Sequence, residues 1–385
     1  MNGTAPRRTS WKAAMLMLAV SILVSAAAGE AMVRLARPEF VAGPDPVSNP
    51  FWRYDADLGW SHIPGAVGTF SRQEFSHPVR INSAGWRDRE RTLDKPSGLF
   101  RIVVLGDSYT WGHGVGDEEI FTRLLERLLP GVEVLNLGLS ASATDQQLLI
   151  LRAHGLAYHP DLVLVMVSRN DFIGNVETME GSYPKPVFRL EEGGVLRLSN
   201  VPVARVSWLS RVHYQLRRRS GLLNLIESLL QGRAESGAPA AQGESRADPY
   251  AVTCALLGEM HREARGAGAS FALGLAPSNA HTYLDPIPPL EAKRFQVIRD
   301  FGAREAVPVL DLVPAFRMAA RAGGRTDLHY PLDKHWNAAG HVVAARELAR
   351  LLVEMKLIPA GGRRRAGGAG GVAYNVRAFQ VNRAL

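Results

Sequence analysis

A chain of 385 residues, 46% hydrophobic and 21% charged, is long enough for two or three domains or for one large α/β domain with additions, and its composition excludes wholesale disorder. Much of its net charge of +8 lies in short arginine clusters without interleaved aromatic residues, so we expect solvated or membrane-proximal charge and no nucleic-acid partner. The single cysteine, Cys254, excludes an intrachain disulfide and a cysteine-rich metal site.

The first predicted element is an apolar helix over residues 13–33, which is about long enough to cross a bilayer. Basic residues precede it, so we expect residues 1–12 to stay cytoplasmic and the bulk of the chain to face the periplasm or the cell exterior. A signal anchor in the inner membrane is favoured over a signal peptide cleaved within residues 25–28, because the apolar run continues past those small residues.

Residues 34–97 are rich in proline, glycine, aromatic and charged residues, and we expect a lead-in segment of loops and short strands that packs on the next domain. From residue 98 to 358, strands alternate with helices. The strands are expected at RIVVL (101–105), VEVLNL (132–137), DLVLVMV (161–167), SFALGLA (270–276) and VPVLDLV (307–313). Apolar residues at helical spacing predict helices between and after these strands, at 118–129, 144–156, 249–268, 289–305 and 337–356.

This alternation predicts a parallel sheet covered by helices on both faces, that is, a three-layer, doubly wound, flavodoxin-like α/β domain. Two parts interrupt the pattern. Residues 172–248 form an insertion whose end is low in hydrophobic residues and is expected to be disordered, and residues 359–385 are expected to form a flexible tail.

Polar residues follow the predicted strands. Gly-Asp-Ser (106–108) follows the first strand, a small-residue loop (136–147) follows the second, and Ser-Arg-Asn-Asp (168–171) follows the third. The segment YPLDKHWNAAGH (330–341) lies between the last strand and the final helix. Ligands of such sheets bind at the carboxyl ends of the strands, so all four segments are expected at one edge.

These residue types suit acyl transfer. Ser108 is a weak nucleophile until a base takes its proton, and His335 is the best candidate base. Asp333 lies on the same loop and is placed to orient the imidazole. For the developing oxyanion, we expect hydrogen bonds from the Asn170 side chain, the Ser108 N–H and an N–H in the 138–141 loop.

Other polar residues receive lesser roles. We expect Asp107 mainly to support the turn through backbone hydrogen bonds. His113 is interpreted either as a pocket-lining residue or as a solvated loop histidine. No metal or other cofactor is expected, because the six-residue spacing of His329, His335 and His341 does not place them on one helical face.

Over residues 98–358, this combination resembles the SGNH hydrolase superfamily, the GDSL-like lipases and esterases. The resemblance implies the SGNH hydrolase fold, with Ser108 as nucleophile, Asn170 as oxyanion donor, and His335 with Asp333 completing the triad. Ala141 stands where the second block usually has glycine, and its N–H is the implied third oxyanion donor. We expect supporting roles for Asp107, Gly138 and Asp171.

Two further likenesses bear on function. The segment INSAGWRDRE (81–90) resembles membrane-anchored bacterial members of the superfamily. The last block reads Asp-x-His-Trp (333–336), which resembles the alginate O-acetyltransferases and their relatives.

The leading hypothesis is therefore an exported, membrane-tethered serine esterase that removes O-acyl groups, above all acetyl groups, from a cell-surface or secreted polysaccharide. Two alternatives stay open. One is transfer of acetyl groups to an exopolysaccharide, which would need a membrane partner that supplies them. The other is a non-catalytic component of an envelope assembly.

Overall fold

The computed structural model describes residues 10–36, 50–181, 183–209, 212, 220–223, 225–226, 248–322 and 327–359. The chain divides into two compact units. One comprises residues 1–45 and 206–245, and the other comprises residues 46–205 and 246–385. The disordered end expected for the insertion and the flexible tail expected for the C-terminus lie almost wholly outside the described residues.

The first unit contains the N-terminal helix α1 (Trp11–Ala36). Among the described residues, it is the helix that is long and apolar enough to cross a membrane, with a mean hydropathy of 2.0. Near its end, the Glu30 carboxylate accepts hydrogen bonds from the N–H groups of Gly221 and Leu222, both at 3.0 Å.

The second unit is built on a parallel sheet. Its strands are β5 (Phe100–Leu105), β6 (Val132–Asn136), β7 (Leu162–Val167), β12 (Ser270–Leu275) and β13 (Val309–Asp311). They lie in the spatial order β6-β5-β7-β12-β13, and every neighbouring pair is parallel. This is the flavodoxin-like order, so the predicted doubly wound fold is confirmed.

The helices of this unit are α2 (Ser108–Trp111), α3 (Phe121–Leu128), α4 (Thr144–Ile150), α5 (Arg169–Gly174), α6 (Pro249–Gly266), α7 (Asn279–Tyr283), α8 (Pro289–Glu305), α9 (Val313–Ala322) and α10 (Ala338–Glu354). Alternate side chains of the buried strands face opposite layers: Val103 and Leu105 pack against α4, α6 and α8, whereas Ile102 and Val104 pack against α3, α9 and α10. Both faces of the sheet are therefore covered, as the continuous apolar strands require.

Two elements differ from the sequence-based expectation. Helix α9 lies between the last strand and the segment that carries His335, so this segment does not follow a strand directly. The helix expected over residues 144–156 ends as an α-helix at Ile150 and continues as a π-helical turn, Leu151–Gly155, and a 3₁₀ turn.

The lead-in residues form two antiparallel hairpins, β1 (Trp52–Asp55) with β2 (Gly59–His62) and β3 (Val67–Ser71) with β4 (Ser76–Arg80). Their apolar side chains, including Phe51, Phe70 and Phe75, form one cluster with Trp111 of α2. The lead-in segment therefore packs directly against the helix that begins with Ser108.

The residues expected as an insertion are divided between the two units. Within the second unit, they form the short antiparallel pairs β8 (Met179–Glu180) with β9 (Tyr183–Pro184), and β10 (Val187–Leu190) with β11 (Leu196–Ser199). The buried Lys185 ammonium pairs with Asp145 and donates to the carbonyl of Gly174 at 2.8 Å, which ties this part to α4 and α5.

Candidate active site

Ser108 lies at the end of β5, in a turn that only a glycine at position 106 permits. A Cβ on Gly106 would lie 2.2 Å from Thr110 Oγ1. Asp107 caps helix α2, because its Oδ1 accepts the N–H of Tyr109 at 3.0 Å. The turn thus fixes Ser108 as the first residue of α2 at the carboxyl edge of the sheet.

The structure brings the three predicted triad residues together. Ser108 Oγ lies 2.8 Å from His335 Nε2, and His335 Nδ1 lies 2.6 Å from Asp333 Oδ1. With the proton on Nδ1 donated to Asp333, Nε2 accepts the serine hydroxyl, which is the arrangement a general base requires.

The charge of Asp333 is strongly favoured. Burial alone would raise the pKa of this carboxyl group, but hydrogen bonds from His113 and His335 outweigh burial and hold the pKa well below its usual value. Asp333 therefore stays ionised at neutral pH and can stabilise an imidazolium on His335.

The predicted oxyanion donors follow three adjacent strands. Ser108 begins the helix after β5, and its N–H therefore has no intrahelical acceptor. The N–H of Ala141, after β6, has no hydrogen-bond partner within the part of the chain that the structure describes. Ala141 adopts a left-handed backbone with φ of 63°. Asn170, after β7, is exposed, and one of its amide hydrogens is directed to Asp107.

Asp107 has a wider set of partners than expected. Its Oδ1 supports the turn, but its Oδ2 accepts the Ser168 hydroxyl at 2.7 Å and the Asn170 Nδ2 at 3.1 Å. Asp107 therefore supports the turn as expected and also joins it to Ser168 and to Asn170, the predicted oxyanion donor. Burial, the largest influence, raises the pKa of its carboxyl group.

Asp171 and Gly138 hold neighbouring segments. The Asp171 carboxylate accepts the Ser168 N–H at 2.7 Å and the Thr144 hydroxyl at 2.8 Å. Burial and then the nearby Asp107 charge raise its pKa to about 7. A Cβ on Gly138 would lie 2.5 Å from the Trp111 backbone nitrogen, so glycine lets the loop after β6 pack against α2.

Sequence reasoning missed the lead-in residues that hold the catalytic loop, which we define as residues 327–337. The Glu74 carboxylate, in the β3–β4 hairpin, accepts the N–H of Leu332 at 2.9 Å and that of Asp333 at 2.6 Å. The Tyr330 hydroxyl donates to the Gly114 carbonyl at 2.6 Å. No local sequence pattern around Glu74 indicates its role in holding the catalytic loop, because its partners lie about 258 positions away in sequence.

Arg87 was also missed as a site-supporting residue. Its buried guanidinium donates to the carbonyls of Gly112 and Val115, both at 2.7 Å, and pairs with Asp117 at 2.8 Å. These bonds fix the loop that follows Trp111. The sequence signal for Arg87 is its place in the INSAGWRDRE segment (81–90).

His113 lies in that loop and is only 7% exposed, so its interpretation as a solvated histidine is wrong. The ligand atoms of His113, Asp333 and His335 all lie within 4.8 Å of one another, a spacing that could hold a metal ion. The two imidazole rings, however, stack with an interplanar angle of 25°. The lone pairs lie in these nearly parallel ring planes, whose centroids are 4.0 Å apart, so they are poorly placed to meet at one ion, which favours a hydrogen-bonded set.

A cavity of about 660 Å³ borders the catalytic loop. Polar and charged side chains dominate its lining, among them Arg317, Asp285, Tyr330 and Lys334. None of the triad residues lines this cavity, whose lining is chemically suited to a hydrophilic group.

A sequence model of the GDSL-like Lipase/Acylhydrolase family matches residues 104–343 of the chain. No curated protein matches the sequence significantly.

Similar solved structures include a member of the lipolytic protein G-D-S-L family from Veillonella parvula, with 12% identity, a TM-score of 0.38, and coverage of 66% of this chain and 97% of that chain. An acetyl xylan esterase from Geobacillus stearothermophilus has 16% identity, a TM-score of 0.40, and coverage of 66% and 95%. A lipase/acylhydrolase from Enterococcus faecalis has 16% identity, a TM-score of 0.38, and coverage of 67% and 97%.

Proposed function

The chain belongs to the GDSL-like lipase/acylhydrolase family and is an ester-bond hydrolase, and from this premise we propose that it removes O-acyl groups, above all acetyl groups, from a cell-surface or secreted polysaccharide. The observation that carries the proposal is the 2.8 Å contact between Ser108 Oγ and His335 Nε2, with Asp333 bonded to the other ring nitrogen.

In the proposed reaction, Ser108 Oγ forms a bond to the ester carbonyl carbon as its proton passes to His335 Nε2. The N–H groups of Ser108 and Ala141 and the amide of Asn170 stabilise the oxyanion. His335 then gives the proton to the leaving sugar oxygen as the ester C–O bond breaks, which releases the sugar hydroxyl. Water, activated by His335, hydrolyses the acyl-enzyme and releases the free acid.

The hydrophilic cavity beside the catalytic loop is not lined by the triad, but it supports a carbohydrate substrate, because its charged and hydroxyl-bearing lining offers donors and acceptors to sugar hydroxyls. Helix α1 is long and apolar enough to cross a membrane, which supports an anchored enzyme. In this proposal, α1 crosses the inner membrane once, and the basic residues before it keep the catalytic unit on the periplasmic side.

The test is acetyl-ester turnover by the full-length chain in detergent micelles, with a small chromogenic acetyl ester and with acetylated oligosaccharides. Ser108→Ala is expected to lower kcat by at least about 10⁴-fold, whereas Ser76→Ala, on the exposed lead-in hairpin, is the matched control. Turnover that survives in Ser108→Ala would overturn the proposed nucleophile.

The same assay separates hydrolysis from transfer. Unacetylated oligosaccharide is included as an acceptor, and the products are free acetate for hydrolysis or acetylated acceptor for transfer. Transfer would favour the acetyltransferase alternative suggested by the Asp-x-His-Trp block and would imply a membrane partner that supplies acetyl groups. A folded chain that is inert with every ester would favour the non-catalytic alternative.

A further inference from the structure

His113 contacts both Asp333 and His335 of the triad. Its Nε2 lies 3.2 Å from Asp333 Oδ2, while Asp333 Oδ1 is bonded to His335. Its ring stacks on that of His335 with 4.0 Å between ring centroids. The Asp333 carboxylate is therefore held between two imidazoles. A Ser-His-Asp triad includes only the His335 imidazole, and the His113 imidazole is additional.

The protonation state of His113 follows from its surroundings. Burial and then the nearby His335 lower its pKa to about 3, so the ring is neutral at neutral pH. A neutral imidazole has one N–H, and the ionised Asp333 carboxylate has only acceptor atoms. The hydrogen atom must therefore be on Nε2, and His113 donates to Asp333.

The ring is held from several directions. The rings of Phe70 and Phe75 contact it edge-on, with centroids 5.0 and 5.4 Å away. Its backbone N–H donates to the Ser108 carbonyl at 3.0 Å. The lead-in hairpin and the nucleophile helix thus fix the position from which His113 meets the carboxylate.

We propose that His113 is a positioning residue, which donates a hydrogen bond to Asp333 and fixes the carboxylate so that its other oxygen faces His335 throughout the reaction. Without this donor, the carboxylate is free to rotate about its Cβ–Cγ bond, and His335 loses its fixed orientation toward Ser108. The inference rests on the proposed function only because ester turnover is one of its two readouts.

Two substitutions separate the hydrogen bond from mere packing. His113→Phe keeps a ring against Phe70, Phe75 and His335 but has no donor. His113→Gln loses the ring but can place an amide N–H near the position of Nε2. His154→Phe, at an exposed histidine outside the site, is the matched control.

We expect His113→Phe to lower kcat by about 10- to 100-fold with little change in KM, because misorientation of a catalytic group slows chemistry without removing a substrate contact. His113→Gln should retain more of the wild-type kcat than His113→Phe. The reverse order would overturn the proposal, since a packing role favours phenylalanine.

The pH profile of kcat/KM is a second criterion. When the donor is lost, the Asp333 carboxylate carries more negative charge and stabilises the protonated His335 ring more strongly. The acid limb of the His113→Phe profile should therefore move to higher pH. The acid limb of the His113→Gln profile should not move, because glutamine still donates. The other titratable and charged groups that face His113, Asp333 and His335, namely Arg72, Glu74, Asp107, His329, Lys334 and His341, are the same in both variants. An unmoved profile in His113→Phe, with a lower rate at every pH, would indicate a merely structural role.

The wild-type chain gives a test that needs no activity. In histidine-selective ¹⁵N NMR of the full-length chain in micelles, His113 should stay neutral from about pH 5 to 9, with its hydrogen atom on Nε2. A hydrogen atom on Nδ1 would overturn the proposal. If no ester is hydrolysed at all, the proposed function fails while this measurement still decides the hydrogen bond.

Discussion

Ser108, Ala141 and Asn170 each follow a strand of the parallel sheet, and Asp107 links two of these strand ends through its carboxylate. The catalytic loop with His335 is built differently. A helix separates it from the last strand, and the Glu74 carboxylate of the lead-in hairpin holds its backbone. The site thus has a nucleophile half fixed by the sheet edge and a histidine half fixed by residues from outside the sheet.

The difference indicates how the site depends on the rest of the chain. Strand ends are positioned by a core in which β5 and β7 are fully buried, so their order in the sheet fixes the nucleophile half. In the histidine half, Leu328 and Trp336 are buried in the core, but the backbone of Leu332 and Asp333 is held by hydrogen bonds from Glu74 of the lead-in segment. Substitutions in that segment should therefore alter catalysis while leaving the sheet intact.

Asp107→Asn, in the nucleophile half, should lower kcat more than the single substitutions at Glu74 and Ala141 discussed below. The asparagine has one acceptor oxygen where the carboxylate has two, so it cannot serve the turn and also hold the Asn170 amide. We expect kcat to fall about 10- to 100-fold, the range for a weakened oxyanion donor. Stability should change by less than about 1 kcal/mol, because loss of a hydrogen bond is offset by removal of a buried charge.

The double variant Asp107→Asn/Asn170→Ala identifies the route of that effect. If Asp107 acts through Asn170, the double variant should be hardly slower than Asn170→Ala alone. Rate losses that multiply would show that the two residues act independently, and the link between the strand ends would then carry little of the effect.

Glu74→Gln, which affects the histidine half, should lower kcat by less than Asp107→Asn does. Glutamine still offers an acceptor oxygen to the N–H groups of Leu332 and Asp333, but it lacks the charge. Hydrogen bonds to charged groups contribute about 1 kcal/mol more than neutral ones, so we expect kcat to fall roughly fivefold. The measurement is steady-state turnover of the chromogenic acetyl ester.

Glu90→Gln is the matched control, because Glu90 accepts the Ser83 N–H at 2.8 Å in a lead-in turn and has no hydrogen bond to the catalytic loop. Its kcat should stay within about twofold of wild type. Equal losses in the two variants would mean that the lead-in segment affects catalysis through its general stability and that no specific clamp exists at Glu74.

The same division explains what the sequence could predict. Apolar runs before Gly106 and Ser168 identify buried parallel strands, and the rule that their carboxyl ends form the site locates Ser108 and Asn170. Glu74 could not be found in this way, since its role arises only when a distant hairpin packs on the catalytic loop. His113 lay five residues from Ser108, but its burial depends on the aromatic cluster of the lead-in segment.

Ala141→Gly has the smallest expected effect. It introduces glycine where this chain has alanine and where the second block of the superfamily usually has glycine. A left-handed backbone costs a non-glycine residue roughly 1–2 kcal/mol, and glycine loses about 0.5–1 kcal/mol through the greater freedom of its unfolded chain. Ala141→Gly should therefore stabilise the fold by about 0–1.5 kcal/mol, measured by chemical unfolding. The backbone N–H is unchanged, so kcat should stay within about twofold.

Ala141→Val is the contrasting variant, because a β-branched side chain is strongly disfavoured at positive φ. It should be less stable than both alanine and glycine. Equal stability of all three would mean that residue 141 does not hold the left-handed conformation in solution. If glycine instead raised kcat tenfold or more, alanine would be impairing the oxyanion loop, and the nucleophile half would be less rigid than its strands suggest. A rate unchanged by glycine would show that the alanine in place of the usual second-block glycine does not impair catalysis.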